Sequence, residues 1–282
     1  MTDLYFAYCQ GDVLLTKGEQ GVTIPSGDRP PIEFQPWEQV TTVHSSQFTV
    51  HSYRCHIYRL DRPVTGRDDL QMMGLRKSYD VLPADLYQLA GKCAELVYWD
   101  QNSKFCGCCG APMRWDTDIS KRCTECGKEL WPQLQTAIIV RVTRGEEVLL
   151  VHAHNFRGTF YGLVAGFVET GETLEECVCR EVWEETHIRI KNIRYFASQP
   201  WPYPAGLMVG FTAEYESGEL QLQRSELAGG GWFRRDNLPE IPGPVSLARR
   251  LLDDWLRTSS DKSDLSDLSD LSDETTTKTK EL

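Results

Sequence analysis

The stretch that decides the fold runs Gly166-Phe167-Val168-Glu169-Thr170-Gly171-Glu172-Thr173-Leu174-Glu175-Glu176-Cys177-Val178-Cys179-Arg180-Glu181-Val182-Trp183-Glu184-Glu185-Thr186-His187-Ile188. A Gly-bearing loop leads into a Glu-rich segment whose periodicity predicts a helix from Thr173 to about Thr186. At about 100° per residue, Glu181 and Glu185 lie about 40° apart and Glu184 about 60° to the other side of Glu181, so all three project from one face. Val178, Val182 and Cys179 form a neighbouring apolar stripe, which lets the helix anchor in a core while its acidic edge lines a cleft. Such crowding costs free energy through like-charge repulsion, and a solvated helix face would normally mix in lysines. Hard oxygen ligands at this density suit Mg²⁺ or Mn²⁺, which can hold diphosphate oxygens and activate a water.

Outward from this helix, strands are expected at Ala137–Val142 and Val148–Val151 before it, and around Tyr195–Ser198 and Leu207–Tyr215 after it. Ser246 to Arg257 reads as a closing amphipathic helix. Mixed strands and helices within roughly 120 residues suggest an α+β or α/β/α layered domain. Upstream, Leu4–Tyr8, Val13–Leu15 and His56–Leu60 read as short strands of a small β-rich domain. Leu86, Leu89, Ala90, Cys93 and Val97 recur with helical spacing and mark an amphipathic helix behind it.

Between the two halves lies Cys106-x2-Cys109-x13-Cys123-x2-Cys126, the two-knuckle spacing of a structural zinc site. Four soft sulfurs in a tetrahedron suit Zn²⁺ and leave no open coordination position. Two disulfides or unused buried thiols are the alternatives, the disulfides disfavoured because no basic and apolar leader is visible and a reducing compartment keeps thiols free. Gly107 and Gly110 fit the tight turns of a knuckle. Cys108 reads as a spare thiol, and Cys9, Cys55, Cys93, Cys177 and Cys179 as small core residues.

The 282 residues carry a formal net charge of -11, which argues against strong non-specific nucleic-acid binding but leaves room for a small anion at a carboxylate-held metal. No run approaches the roughly 20 apolar residues that span a bilayer, so no membrane partner and a cytoplasmic location are expected. Residues 259–282, with Ser-Asp-Leu repeated from Ser263 to Leu271, read as a disordered acidic tail.

The stretch from Gly166 to Ile188 resembles the Nudix box, which sets a glycine, a glutamate, an Arg-Glu pair and a Glu-Glu pair at fixed spacing; the one departure is His187 where the family places glycine. Downstream, Ser198-Gln199-Pro200-Trp201-Pro202-Tyr203-Pro204-Ala205-Gly206-Leu207-Met208 resembles the signature of the NADH pyrophosphatase (NAD-capped RNA hydrolase) family, with Tyr203 in place of phenylalanine and Gly206 in place of serine. The resemblance covers roughly Cys106 to Leu256. It implies an α+β chain whose Nudix α/β/α sandwich catalytic domain (132–258) follows a zinc ribbon (101–131) and the β-rich N-terminal domain with its linking helix (1–100).

The same resemblance implies that Glu181 and Glu185 are ligands of more than one Mg²⁺ or Mn²⁺ ion, with the Ala165 carbonyl and Glu226 completing the set. Glu184 would be a further ligand or proton acceptor, and Arg180 would hold Glu172 and the loop. Substrate contacts would fall to Phe167, Gln199, Pro200, Trp201, Pro202, Tyr203, Pro204, Ala205, Gly206, Trp131 and Ala248, and on weaker grounds to Arg76 and Asp118, each equally readable as an exposed structural charge. The implied reaction is hydrolysis of NADH or NAD⁺ to AMP and nicotinamide mononucleotide, or removal of an NAD cap from an RNA 5′ end. The implied assembly is a homodimer, which opens Trp131 to a role in a neighbour's pocket. ADP-ribose or a dinucleoside polyphosphate is the alternative substrate, and a zinc-ribbon RNA- or protein-binding sensor the non-enzymatic alternative.

Overall fold

The computed structural model describes residues 2–19, 21–45, 52–156 and 158–258; the expected acidic tail, 259–282, lies outside the described residues. The chain divides into two compact units, Met1–Gln135 with Pro200–Leu207, and Thr136–Gln199 with Met208–Leu282.

The first unit carries β1 (Thr2–Cys9), β2 (Asp12–Gly18), β3 (Gly21–Thr23), β4 (Gln39–Ser45), β5 (Tyr53–Arg59) and β6 (Leu70–Gly74), followed by α1 (Ala84–Asn102). Its six-stranded sheet has the order β3-β2-β1-β5-β4, with β6 also paired to β2. β1 and β5 pair in parallel from Thr2↔Tyr53 to Tyr8↔Arg59, which brings together segments some fifty residues apart. Alternate residues of these strands, Leu4, Phe6, Tyr8, Val13, Leu15, Cys55 and Ile57, form a core with Leu89, Ala90, Cys93, Leu96 and Val97 of α1. That spacing is the helical one read from the sequence, and it buries one face of α1 on the sheet.

A three-stranded sheet follows in the same unit, made of β7 (Met113–Trp115), β8 (Lys121–Cys123) and β9 (Glu129–Leu130) in that order. It is fastened to the end of α1 by Lys121, which is buried. The Lys121 Nζ pairs with Asp100 Oδ1 at 2.7 Å and donates to Ser103 Oγ at 3.0 Å and to the Ser103 carbonyl at 3.3 Å. The same nitrogen lies 5.1 Å from the Trp99 ring centroid and 5.2 Å from that of Trp115, so a buried charge has both a counter-ion and aromatic faces.

The second unit contains β10 (Gln135–Arg144), β11 (Glu147–Ala153), β12 (Val164–Phe167), α2 (Leu174–Thr186), β13 (Arg189–Trp201), β14 (Gly206–Ser217), β15 (Leu227–Arg234) and α3 (Leu247–Arg257). The sheet order is β13-β14-β10-β11-β15, with β12 paired antiparallel to β10. Ile139, Val148 and Leu150 pack on Leu247, Leu251, Leu252 and Trp255 of α3. Their strand neighbours Ile138, Val140, Leu149 and Val151 are buried too, as a sheet covered on both faces requires. The helices and strands anticipated in this half are all present, and the α+β Nudix architecture holds.

The apolar stripe of α2 needs one correction. Cys177, Val178, Val182, Glu185 and Thr186 are the buried residues, while Cys179 is exposed. The buried arc is centred between Val178 and Glu185, so at about 100° per residue Cys179 falls beyond its edge and Cys177 lies within it.

Candidate active site and metal centre

In the first unit, the sulfurs of Cys106, Cys109, Cys123 and Cys126 lie within 4.8 Å of one another, as four ligands of one ion would. Each knuckle is followed by a glycine at positive φ, Gly110 at 77° and Gly127 at 71°, a conformation other residues reach only with strain; Gly107 does not share it. The Cys106 thiol is held below its ordinary range by the backbone N–H groups of Cys109 and Cys108, and that of Cys123 by those of Cys126 and Glu125. Cys126 also receives the Lys128 N–H, yet the three neighbouring sulfurs push its thiol up. Four thiolates cannot share this volume without a cation, and the donor set fits zinc. Cys108 stays outside the cluster; its N–H donates to the Cys106 sulfur at 3.4 Å.

In the second unit, Thr173 caps α2 reciprocally, its Oγ1 accepting from Glu176 N at 3.2 Å and its N–H donating to Glu176 Oε2 at 2.7 Å. The other end closes at His187, whose φ of 56° is left-handed. This is the conformation for which glycine serves best, so His187 keeps the geometry at some cost in strain. Its Nδ1 meets the Gln221 carbonyl at 3.2 Å.

Arg180 organises the box. Its Nε and Nη2 donate to Glu172 Oε2 and Oε1 at 3.0 and 2.6 Å, and Nη2 also reaches the Phe167 carbonyl at 2.9 Å. Its Nη1 donates to Glu181 Oε1 at 2.8 Å and Glu184 Oε2 at 3.1 Å. The guanidinium, together with the Glu169 N–H, holds the Glu172 carboxyl down at about 2. The loop from Phe167 to Glu172 is thereby pinned to the helix.

The three helix glutamates sit in different surroundings. Glu184 is half exposed, whereas the Glu185 residue is 6% exposed and its Oε2 is buried with no hydrogen-bond partner. Burial first, then the charges of Glu181, Glu226 and Glu184, pushes the Glu185 carboxyl up to about 8. Burial likewise raises Glu181 against the opposing pull of Arg180. Among the described residues these carboxylates do not gather as tightly as the four sulfurs. An orphaned buried carboxylate oxygen facing like charges is what a divalent cation would satisfy, so the residues fit such an ion.

A cavity of about 380 Å³ is lined by Glu185, Glu226 and Ala165, and by His154, Asn155, Phe156 and Ser225, which the sequence did not single out. For the first three the only signal was the loop character of the segment after β11. Glu226 is placed by the His154 N–H on its carbonyl at 2.9 Å and by Gln223 Nε2 on its Oε1 at 3.3 Å. Phe167 is exposed, and Ala248 is buried in the α3 core. Gln199 donates from Nε2 to the Val245 carbonyl at 2.7 Å, leaving its buried Oε1 without a partner.

The remaining expected substrate residues belong to the first unit. Pro200 and Pro204 are exposed, Pro202 is half-buried and Ala205 is buried. The Arg76 guanidinium lies 5.1 Å from the Trp201 ring centroid and 6.0 Å from that of Tyr203, and the two rings meet edge to face at 5.1 Å. The Tyr203–Pro204 peptide is cis. At Gly206 a Cβ would stand 3.1 Å from the Trp201 carbonyl oxygen, so glycine lets the two ends of the segment approach. Trp131 is half exposed on a cavity of about 630 Å³ that also includes Glu95, Leu134 and Ala205. Asp118 is exposed, and its carbonyl accepts from Thr41 Oγ1 at 3.3 Å.

This fold and carboxylate helix define a Nudix hydrolase domain: the NUDIX domain model matches residues 132–255, and that of the NADH pyrophosphatase-like rudimentary NUDIX domain matches residues 2–99. The chain is 46% identical over 187 residues to the NAD-capped RNA hydrolase NudC of Pectobacterium carotovorum subsp. carotovorum (strain PC1), a match covering 66% of this chain and 72% of that protein. It is 45% identical over 184 residues to the protein of the same name from Yersinia enterocolitica, covering 65% of this chain and 70% of that one. A crystal structure of a NUDIX hydrolase from Nitrosomonas europaea aligns at a TM-score of 0.44 with 24% identity, covering 50% of this chain and 85% of that one. The chain belongs to the NADH pyrophosphatase-like, NAD-capped RNA hydrolase family of Nudix hydrolases. A divalent metal requirement comes with that membership. No helix among the described residues is long and apolar enough to cross a membrane.

Proposed function

We propose that the chain hydrolyses the diphosphate bond of NADH or NAD⁺, releasing AMP and nicotinamide mononucleotide, and removes NAD caps from RNA 5′ ends. The observation that carries this reading is Glu185, a buried carboxylate with an unpartnered oxygen, on a cavity it shares with Glu226 and Ala165. Relatives at 45–46% identity that are NAD-capped RNA hydrolases support the choice of substrate.

Glu181, Glu185, Glu226 and the Ala165 carbonyl would hold Mg²⁺ or Mn²⁺, more than one ion in all, with Glu184 as a further ligand or proton acceptor. Such ions supply neutralisation of the diphosphate and activation of a water. The water oxygen bonds to one phosphorus as the bridging P–O bond breaks, leaving two phosphomonoesters. Arg180 and Glu172 keep the loop fixed. Trp201 and Tyr203, stiffened by three prolines, offer ring faces to the base or nicotinamide. Phe167, Gln199, Arg76, Asp118, Trp131 and Ala248 complete the proposed contacts. Cys106, Cys109, Cys123 and Cys126 hold one structural Zn²⁺ per chain. The proposed division is an N-terminal domain (1–100), a ribbon (101–131) and a catalytic domain (132–258), working as a cytoplasmic homodimer to which Trp131 contributes.

Product analysis with NADH and Mg²⁺ or Mn²⁺ tests this reading. AMP and nicotinamide mononucleotide are expected in equal amounts. A clear kinetic preference for ADP-ribose or diadenosine polyphosphates over NADH would overturn the choice of substrate, and unchanged turnover in Glu185→Gln would overturn the assignment of the site.

A further inference from the structure

Helix α1 meets the Trp201–Gly206 segment through three residues spaced i, i+4 and i+8, hence along one stripe of the helix. At the first, the Tyr87 hydroxyl lies 2.7 Å from the Tyr203 hydroxyl, one donating and the other accepting. At the second, Gly91 faces the Pro202 ring so closely that a Cβ there would stand 3.0 Å from Pro202 Cγ and 3.6 Å from Pro202 Cβ. An interior helical glycine is less favourable than alanine, and this approach is a packing reason for it. At the third, Glu95 has its carboxyl turned to the Gly206 N–H, while its other oxygen is buried without a partner.

We propose that the stripe Tyr87, Gly91 and Glu95 of α1 sets the position of the Trp201–Gly206 segment, making Tyr87 and Gly91 positioning residues for dinucleotide recognition. Tyr87 matters because this chain carries tyrosine, not phenylalanine, at 203. The extra hydroxyl lies in a part-buried place where it needs a partner, and α1 provides it. Burial raises both phenols above their ordinary range, so both keep their protons and the pair stays a neutral hydrogen bond. Behind the segment lies a cavity of about 470 Å³ lined by Tyr8, Arg76, Val97, Tyr98, Pro202 and Tyr203, into which an unsupported segment can relax.

The proposal rests on the reading of this segment as a substrate wall. Its test is steady-state hydrolysis of NADH by the full chain in Tyr87→Phe, Tyr203→Phe, the double variant and Gly91→Ala, with a melting temperature for each. Each tyrosine variant alone is expected to raise KM about five-fold with kcat within about two-fold, the size of one lost hydrogen bond. The double variant should recover most of the loss, because removing both hydroxyls leaves neither unpaired. Gly91→Ala should raise KM at least about three-fold with no fall in melting temperature, since alanine favours the helix while crowding Pro202.

Unchanged KM in the single variants and in Gly91→Ala overturns the proposal, as does a double variant in which the losses simply add. A fall in kcat that follows lost folded protein also overturns it, by reducing the stripe to a structural role. If the wild type leaves NADH intact, the underlying reading fails and takes the proposal with it.

Discussion

Gly166 and Glu181 occupy one space: a Cβ added to Gly166 would lie 1.9 Å from the Glu181 carboxyl carbon. The glycine that opens the box is therefore a vacancy shaped for the side chain of a proposed metal ligand fifteen residues on.

Gly166→Ala is expected to lower kcat/KM on the order of 10²-fold, because a displacement of about 1 Å in a catalytic group has that effect. The far-ultraviolet circular dichroism should be unchanged. Wild-type kinetics in a folded Gly166→Ala would show that Glu181 needs no fixed position.

For Glu185, folding raises the carboxyl from 4.5 to about 8, so the folded state binds this proton more tightly than the unfolded chain. In divalent-free buffer its contribution makes stability fall as pH rises from about 4.5 towards about 8. Added Mn²⁺ should reverse the trend and release protons at neutral pH, and Glu185→Gln should abolish both. Calorimetry of Mn²⁺ binding in two buffers of different ionisation enthalpy reads the proton release.

Glu172 behaves in the opposite sense. With its carboxyl held down from 4.5 to about 2, its contribution to stability is complete above 4.5 and is lost as pH falls through about 2. Chemical denaturation of the wild type and Glu172→Gln should differ most at neutral pH and converge on acidification. Arg180→Lys should narrow the difference at neutral pH, since an ammonium cannot replace a fork that holds Glu172 twice. A gap independent of pH would point to packing, not to the ion pair.

Metal analysis should find one zinc per chain, lost in Cys123→Ser/Cys126→Ser. Retained zinc would place it on other ligands.

How much of this was legible follows from the range of each interaction. Thr173 to Thr186 could be read as a helix because its periodicity and its crowded charges are both local. The four cysteines announced their cluster by spacing, and sulfur allows few other uses for it. The β1–β5 pairing was not legible, since nothing in Leu4–Tyr8 says that its parallel partner lies near residue 55. Nor did residues 2–99 declare themselves a rudimentary NUDIX domain, because they lack the acidic stretch by which the catalytic one is read. Cys179 was misplaced because a stripe edge shifts by one residue when the true centre of burial includes a glutamate. Helical spacing sets Glu185 about 20° from Val178, but a carboxylate is not expected at the centre of a buried arc. Tyr87 escaped notice for a similar reason: as one more aromatic on an amphipathic helix, it reveals its purpose only through Tyr203.

The tie between Lys121 and the last turn of α1 means that the cysteine knuckles are no detachable ornament. A thiol oxidant or chelator that loosens them removes the residue capping the carbonyls at Asp100 and Ser103. Damage at the ribbon should then register as faster amide exchange climbing α1 from its carboxyl end, towards the turns that carry Glu95 and Gly91.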